Sequence, residues 1–220
     1  MPLLLPQTTA ALKEKPAVVL FSAGKDAIAT CDILHKEGLL PNVFVYFYFV
    51  AGISFVESVL RYYERLWSVT VLRRPSHSTL SLAAQQAGAR KTYYSDGDAL
   101  NLVKKELGED TWFVSGAKRS DSLARRGMFS KIVGGVDNKR QIIYPIIDWS
   151  DRQVTTYCKA NKLKLPITYD MGNRRSVSSF RVNGLVWLKG KFPKDYARVI
   201  KVFPHLESLV FRYERQYARK

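Results

Sequence analysis

Cysteine is scarce in this chain, since only Cys31 and Cys158 occur among its 220 residues. Two thiols cannot build a disulfide framework and suit a reducing compartment, so we expect a cytoplasmic protein.

Long apolar runs are also missing. The longest candidate, residues 43–56, is shorter than the roughly 18 residues that a membrane span needs and contains Gly52, so we expect no membrane association. The first residues, MPLLLPQ, lack a basic start, and we expect no secretory signal.

Acidic residues and metal-binding spacings are few as well. The chain has 19 Asp and Glu against 35 Lys and Arg, a net charge of +16. A charge of this size predicts anionic partners, whether a nucleotide, a nucleic acid or both, although a basic surface can also serve solubility alone. The three histidines show no H-x-x-H or H-E-x-x-H spacing, so we predict no structural zinc.

What the chain does contain is an alternation of apolar, strand-like runs and helix-like patterns. We predict strands over residues 17–21, 42–50, 69–72, 111–115 and 142–147, and helices over 26–37, 55–67, 78–88, 99–107 and 151–161. Such an alternation is typical of the α/β class, with a parallel twisted sheet that has helices on both faces. We assign residues 1–182 to this domain and residues 183–220 to a basic, aromatic C-terminal extension packed on it or beside it.

Two local signals sharpen the helix predictions. Ser150 is a suitable N-cap for the helix that begins at residue 151. The helix over residues 55–67 carries an apolar stripe at three-to-four spacing, which we expect to be buried. The members of this stripe are Val56, Val59, Leu60, Tyr63 and Trp67.

The turn after the first predicted strand has the composition of an anion-binding loop. Ser22, Ala23, Gly24 and Lys25 separate the strand from a helix that begins at Asp26. Gly24 lets backbone approach a ligand, while the free N–H groups and the dipole of the helix start favour a phosphate. The Ser22 hydroxyl adds a donor and Lys25 a mobile cation. A turn that only caps the helix stays an alternative interpretation.

The residues of this turn exclude two common phosphate loops. A Walker loop would need a second glycine five residues before Gly24, and a dinucleotide fingerprint would need G-x-G-x-x-G. The segment SAGKDA instead resembles the S-G-G-K-D-S loop of the PP-loop ATP pyrophosphatases. It departs from that loop by Ala23 in place of the first glycine and Ala27 in place of the final serine.

Two further segments extend the resemblance. Residues 116–126, GAKRSDSLARR, are similar to the G-x-R-x-x-E/D-S-x-x-R segment that follows the fourth strand in the phosphoadenosine phosphosulfate (PAPS) reductase family. Residues 144–172, which begin YPIIDWSDRQV, resemble that family's P-I/L-x-D-W-S/T-x-x-D/Q-V segment and the Y-D-x-G turn after it. Together the motifs cover about residues 17–182 in the family's order. The chain is therefore identified as a member of the PAPS reductase-like branch of the adenine nucleotide α-hydrolase-like fold.

The resemblance implies roles for the matching residues. It implies an adenine nucleotide, ATP or PAPS, held at Ser22, Ala23, Gly24, Lys25, Asp26, Gly116, Lys118, Arg119 and Ser122. Lys25, Arg119 and Arg125 are the candidate catalytic residues. Lys25 would help to hold the phosphates, while Lys118, Arg119 and Arg125 would neutralise the charge that develops on a leaving group. If the ligand is ATP, Asp26 is the candidate Mg²⁺ ligand. The alternative for the basic residues around Arg119 is a solvated loop, partly neutralised by Asp121.

The resemblance fails where the reductases of the family carry out redox chemistry. They use a nucleophilic cysteine in a C-terminal E-C-G-x-H segment, whereas this chain ends YERQYARK. Many also hold an iron–sulfur cluster, but Ser176, Ser178 and Ser179 stand where relatives have cysteines, so we predict no iron–sulfur cluster. Cys31 and Cys158 are expected to be small buried residues rather than catalysts.

Three functional hypotheses follow, in order of preference. The first is an adenine-nucleotide-binding protein that uses ATP or PAPS in an adenylyl-transfer or pyrophosphate-releasing step. The second is a nucleic-acid-binding or nucleic-acid-modification accessory protein whose basic C-terminal part contacts a polyanion, in line with relatives in DNA phosphorothioation and transfer-RNA thiolation. The third, PAPS reduction, would need a thiol from a partner. An oligomer or a partner subunit is compatible with each of them.

Overall fold

The computed structural model describes residues 4–167 and 182–217. The strands are β1 (Ala17–Leu20), β2 (Val43–Tyr48), β3 (Thr70–Pro75), β4 (Trp112–Val114), β5 (Val136–Asp137) and β6 (Ile142–Ile143). The helices are α1 (Pro6–Glu14), α2 (Lys25–Lys36), α3 (Ser54–Trp67), α4 (His77–Gln86), α5 (Asp96–Leu107), α6 (Leu123–Met128), α7 (Asp151–Ala160), α8 (Val182–Lys191), α9 (Pro193–Val202) and α10 (His205–Tyr217), with a 3-10 turn at Arg119–Asp121. The strands form one six-stranded sheet in the order β3-β2-β1-β4-β6-β5, in which β5 alone runs antiparallel to its neighbour.

The sheet separates two hydrophobic cores, because successive side chains of a strand point to opposite faces. Val19 and Phe21 belong to the larger core, which also includes buried residues of α2, α3, α7 and the C-terminal helices. Val18 and Phe113 belong to the smaller core, together with Val103 of α5. Helices therefore cover both faces, and the predicted α/β class with a mostly parallel sheet is confirmed.

Successive strands are added to the sheet in one direction from β1 and then in the opposite direction from β1. On one side of this strand Val19 pairs with Phe44 of β2, and on the other side it pairs with Val114 of β4. The chain adds β2 and β3 outward in one direction and then returns to place β4 on the opposite side of β1. Open parallel sheets form a crevice at the carboxyl ends of the strands that flank such a reversal. A ligand site is therefore expected at the carboxyl ends of β1 and β4.

Local sequence signals predicted two helices well. α3 buries the whole predicted apolar stripe. α7 begins directly after Ser150, whose hydroxyl accepts the N–H of Gln153 at 3.2 Å, while the Gln153 side chain accepts the N–H of Ser150 at 2.7 Å. This reciprocal capping box confirms Ser150 as the N-cap. Within the part of the chain described here, no helix is both long enough and apolar enough to cross a membrane.

One strand prediction was wrong. β6 ends at Ile143 instead of continuing to residue 147. Pro145 has no N–H to donate to a neighbouring strand. The chain turns there instead, and the Ile147 N–H donates to the carbonyl oxygen of Tyr144 at 3.2 Å.

The C-terminal helices α8, α9 and α10 pack on the larger core. Their buried apolar residues are Leu185, Leu188, Val199 and Val210. Asp195 of α9 is buried too, and its carboxylate accepts the backbone N–H and the hydroxyl of Ser54 at 2.9 and 2.6 Å. The N-cap of α3 is Ile53, which has no acceptor for this N–H, so α9 supplies the cap from another part of the chain. A division of the chain near residue 182 into two domains stays a prediction.

Replacement of Asp195 by alanine should destabilise the fold. The change leaves the Ser54 N–H without its carboxylate and removes the ion pair that Asp195 makes with Arg198 at 2.8 Å. We expect a loss of about 2 kcal/mol in the free energy of unfolding, measured by urea denaturation. Glu207→Ala is the matched control, because this exposed carboxylate lies in the first turn of α10 and should cost less than about 0.5 kcal/mol. Equal stability of the two variants would show that the cap is dispensable.

Candidate functional site

The turn between β1 and α2 forms one wall of the site. Ala23 has a φ of +55°, in the left-handed region that suits glycine. This conformation gives a physical reason for the glycine that the S-G-G-K-D-S loop has at this position. Gly24 is the N-cap of α2 and, as a glycine, has no side chain with which to cap the helix. The exposed Ser22 hydroxyl accepts the Gly24 N–H at 3.3 Å. The dipole at the start of a helix favours an anion, so this turn suits a phosphate.

Gly116 brings the segment after β4 against this turn. A Cβ atom at position 116 would lie 2.8 Å from the backbone carbonyl oxygen of Asp26 and 3.0 Å from the Ala27 nitrogen. Those neighbours are backbone atoms of α2 and cannot swing away, so only glycine fits. The two segments that the sequence predicted to bind an anion are therefore in direct contact.

A cluster of charges, in which the two lysine side chains are buried and the carboxylates are partly exposed, connects these segments. The Lys118 side chain, only 1% exposed, pairs with Asp26 and with Asp121, whose Oδ1 lies 2.7 Å from Nζ. Lys25 is also buried, and its Nζ pairs with Asp26 at 3.0 Å and with Asp151 of α7. The sequence predicted a mobile cation at Lys25, but its ammonium group is held between carboxylates. Asp121 neutralises Lys118. This neutralisation was part of the alternative interpretation of the basic loop in the sequence analysis.

Hydrogen bonds keep Lys25 charged. Burial of its ammonium group lowers the pKa, but hydrogen bonds to Asp151 and Asp26 outweigh burial and leave the pKa of Lys25 raised above its ordinary value. Asp151 was not recognised as a site residue from the sequence. Its only local signal was its place as the first residue of a capped helix, and that place says nothing about a partner 126 residues away.

A cleft of about 560 Å³ opens at the carboxyl ends of β1, β2 and β4. Four predicted site residues line it, namely Ser22, Asp26, Gly116 and Arg125. Arg125 is exposed and lies 5.8 Å over the Phe129 ring, and no carboxylate pairs with it among the described residues. Its guanidinium group is therefore available to an anion in the cleft.

The cleft also contains a histidine that the sequence reasoning did not assign to the site. His77 begins α4, and its Nδ1 lies 2.6 Å from the Asp96 carboxylate. Both residues line the cleft. The only sequence signal was the position of His77 between the predicted strand over residues 69–72 and the predicted helix over residues 78–88.

Other predicted site residues lie beside the cleft rather than in its lining. Arg119 donates from Nη2 to the carbonyl oxygen of Ile132 at 2.6 Å and from Nε to Asp148 at 3.2 Å. Ser122 is the N-cap of α6 and accepts the Arg125 N–H at 3.1 Å. Their roles toward a ligand, and that of Asp26 toward Mg²⁺, stay predictions. Asp26 already pairs with two ammonium groups, and among residues 4–167 and 182–217 no cluster of His, Cys, Asp or Glu is arranged to hold a metal ion.

Both cysteines are buried, as the sequence predicted. The Cys158 thiol donates to the carbonyl oxygen of Lys25 at 3.7 Å, and burial raises its pKa to about 11. Burial also raises the pKa of the Cys31 thiol. The Y-D-x-G turn and the serines at positions 176, 178 and 179 lie outside the described residues.

Comparisons with known proteins agree with this architecture. The family model of the phosphoadenosine phosphosulfate reductase domain matches residues 16–199. The chain is similar to the structure of the PAPS reductase of Candida auris in a phosphate complex, with a TM-score of 0.53 and 13% identity over 80% of this chain and 87% of that chain. It is also similar to the FMN adenylyltransferase of Candida glabrata in complex with ATP, with a TM-score of 0.50 and 12% identity over 74% of this chain and 56% of that chain. At such identities the likeness establishes the fold alone. A search of curated proteins found no match.

One of these comparisons corrects the predicted cofactors. The prediction that excluded an iron–sulfur cluster is contradicted, because the U34-tRNA thiolase NcsA of Methanococcus maripaludis was solved with its [4Fe-4S] cluster. That structure has a TM-score of 0.49 and 11% identity over 93% of this chain and 78% of that chain. The prediction of no iron–sulfur cluster was too broad, because serines at three positions argue only against cluster ligands at those three positions.

We expect Gly116→Ala to destabilise the protein by about 2–3 kcal/mol, because the added methyl group must push backbone of α2 away from the end of β4. Urea denaturation measures this loss. Gly127→Ala is the matched control, because nothing lies within 4 Å of a Cβ at that helical position. It should be neutral or stabilising by up to about 1 kcal/mol. Equal costs for the two variants would contradict the close approach.

The thiols of the native protein should not react with Ellman's reagent within minutes at pH 8. With the pKa of Cys158 at about 11, roughly one molecule in a thousand carries its thiolate at pH 8, and this fraction rises about tenfold for each pH unit toward 11. After unfolding in guanidinium, both thiols should react promptly. Fast reaction of either thiol in the native protein at pH 8 would overturn the assignment of buried, inert cysteines.

Proposed function

Because the chain belongs to the phosphoadenosine phosphosulfate reductase domain family, we propose that it binds an adenine nucleotide, ATP or PAPS, in the cleft between β1 and β4. The nucleotide then serves an adenylyl-transfer or pyrophosphate-releasing step. The observation that carries the proposal is the backbone contact of Gly116 with the first turn of α2. It joins the start of a helix, which favours a phosphate, to the segment that carries Arg125.

Donors around the turn suit the phosphates of such a nucleotide. The dipole at the start of α2 favours a phosphate, and the Ser22 hydroxyl can donate to phosphate oxygens. Lys25 and Lys118 pair with Asp26 and neutralise its carboxylate, which would otherwise repel a phosphate in the cleft. Arg125 supplies a positive charge at the wall of the cleft. The apolar part of the lining, which includes Phe47, suits the flat adenine ring.

The proposed chemistry with ATP needs no redox group. An oxygen of the acceptor attacks the α-phosphorus and forms a new phosphorus–oxygen bond. The bond from the α-phosphorus to the oxygen that bridges the β-phosphate breaks, and its electron pair leaves with pyrophosphate. Arg125 is the residue that we assign to the growing negative charge, because it combines a cleft-lining position with a cation that no described carboxylate neutralises.

Two comparisons support this ligand class. ATP is bound in the adenylyltransferase of Candida glabrata, and phosphate is bound in the PAPS reductase of Candida auris. Both belong to structures whose fold is similar to that of this chain. The buried, protonated state of Cys158 argues against sulfur transfer by this chain alone, so PAPS reduction would need a thiol from a partner.

A nucleic-acid-binding role is the second candidate. α10 exposes Phe211, Arg212 and Arg215, and the Arg215 guanidinium lies 5.1 Å over the Phe211 ring. An exposed aromatic ring beside cations suits contact with bases and phosphates. This role would be favoured if an oligonucleotide bound with steep salt dependence and Arg212→Ala and Arg215→Ala flattened that dependence.

ATP or PAPS at about 100 times its dissociation constant should stabilise the protein by about 2.7 kcal/mol, which raises the melting temperature by roughly 5–10 °C. Differential scanning fluorimetry measures the shift. Lys25→Ala should abolish it, since this change leaves Asp26 with Lys118 as its described ammonium partner and takes the Lys25 ammonium group away from Asp151.

Two further variants keep this test decisive. Arg125→Ala is expected to fold normally because the side chain is exposed, and it should weaken the shift. Lys105→Ala removes an equal charge from an exposed position of α5 that does not line the cleft, and should leave the shift intact. Absence of any shift with either nucleotide in the unmodified protein would refute the proposed function.

A further inference from the structure

A second cavity, of about 650 Å³, lies beside the nucleotide cleft. It is bounded by α5, α6 and the segment that connects β5 to β6. Asp96 and Arg125 line both spaces, so the cavity and the cleft share a wall. A molecule in the second cavity would therefore lie next to a nucleotide in the cleft.

The charge of this second cavity is positive. Lys104, Arg125, Lys139 and Arg140 line it, against the single carboxylate of Asp96. The half-buried Lys104 ammonium donates to the side-chain oxygen of Gln141, a neutral group, so the hydrogen bond leaves its charge uncompensated. Among the described residues Lys139 has no ion pair, and Arg140 reaches Asp137 only at 3.5 Å. Such a set of cations favours an anionic ligand.

The floor of the second cavity is apolar and aromatic. Phe113, Ile142 and Tyr144 form its buried base, and the more exposed Leu100 and Met128 complete the apolar part of the lining. The Lys104 ammonium lies 6.0 Å from the centre of the Phe113 ring, so positive charge and aromatic surface meet within one cavity. Flat ring compounds bury apolar area against surfaces of this kind. The lining therefore suits a small molecule with a ring at one end and an anionic group at the other.

We propose that the second cavity binds the acceptor of the nucleotide reaction, a small ring compound that carries a phosphate or a similar anionic group. The role as acceptor rests on the proposed function, because it requires a nucleotide in the adjoining cleft. The binding of a phosphorylated ring compound depends only on the charges and rings of the cavity itself. The exposed Lys139 and Arg140 would hold the anionic group, and Leu100 and Met128 would contact the ring.

The test uses 1-naphthyl phosphate as the probe and 1-naphthol as its phosphate-free control. Fluorescence titration of the full chain, with the ATP analogue AMPCPP saturating the cleft, should show binding of the phosphate compound and at least tenfold weaker binding of the naphthol. Lys139→Ala combined with Arg140→Ala should weaken binding of the phosphate compound about tenfold, since both cations are lost. This double variant should keep the melting shift caused by AMPCPP, because neither residue lines the cleft.

Lys105→Ala combined with Lys131→Ala is the matched control. It removes the same charge from exposed positions outside the second cavity and should change binding less than twofold. Equal weakening by both double variants would overturn the site, because binding would then follow net charge alone. Equal binding of naphthol would overturn the anionic role, and competition between AMPCPP and naphthyl phosphate would overturn the existence of two sites.

The same measurements separate this proposal from the function on which it rests. If AMPCPP causes no melting shift while naphthyl phosphate still binds through Lys139 and Arg140, the proposed function fails and the anion site stands. If AMPCPP shifts the melting temperature and naphthyl phosphate does not bind, the proposed function stands and the second site is refuted.

Discussion

The contact between Gly116 and the first turn of α2 is the constraint on which the site depends. The missing side chain allows the backbone after β4 to lie against the carbonyl group of Asp26. A parallel sheet would form a crevice at the β1–β4 reversal in any case. The close approach of Gly116 to α2 brings the start of α2, the buried lysines and Arg125 together around that crevice. An anionic ligand requires such a concentration of positive charge.

Asp26 is the electrostatic centre of this arrangement. Its carboxylate pairs with Lys25 of its own turn and with Lys118 from the segment after β4, while Lys25 also reaches Asp151 at the start of α7. Each partner comes from a different one of the three motifs that carry the family resemblance. Such ion pairs add little net stability, but each buried ammonium group needs a carboxylate beside it. The cluster therefore joins three distant segments into one site.

The chain departs from its family in ways that the structure makes intelligible. Ala23 occupies a left-handed conformation, which costs an alanine about 1–2 kcal/mol relative to its ordinary conformations. Ala27 is buried and presents a methyl group to the cleft where the resembling loop has a hydroxyl. Cys31 and Cys158 lie in the hydrophobic core. These features leave the architecture of the cleft intact.

The sequence by itself determined the α/β class, the alternation of the predicted strands and helices, the buried stripe of α3 and the Ser150 cap, because these features depend on residues within a few positions of one another. It also identified two of the segments that line the cleft, those that follow β1 and β4. Only the tertiary structure decided which charged side chains face that cleft. Arg119 turns to the carbonyl oxygen of Ile132, Arg125 faces the cleft, and Lys118 and Asp151 find partners 92 and 126 residues away. A long basic side chain binds whichever carboxylate or carbonyl group the packing of strands and helices brings near, and that neighbour is set by the fold rather than by adjacent sequence.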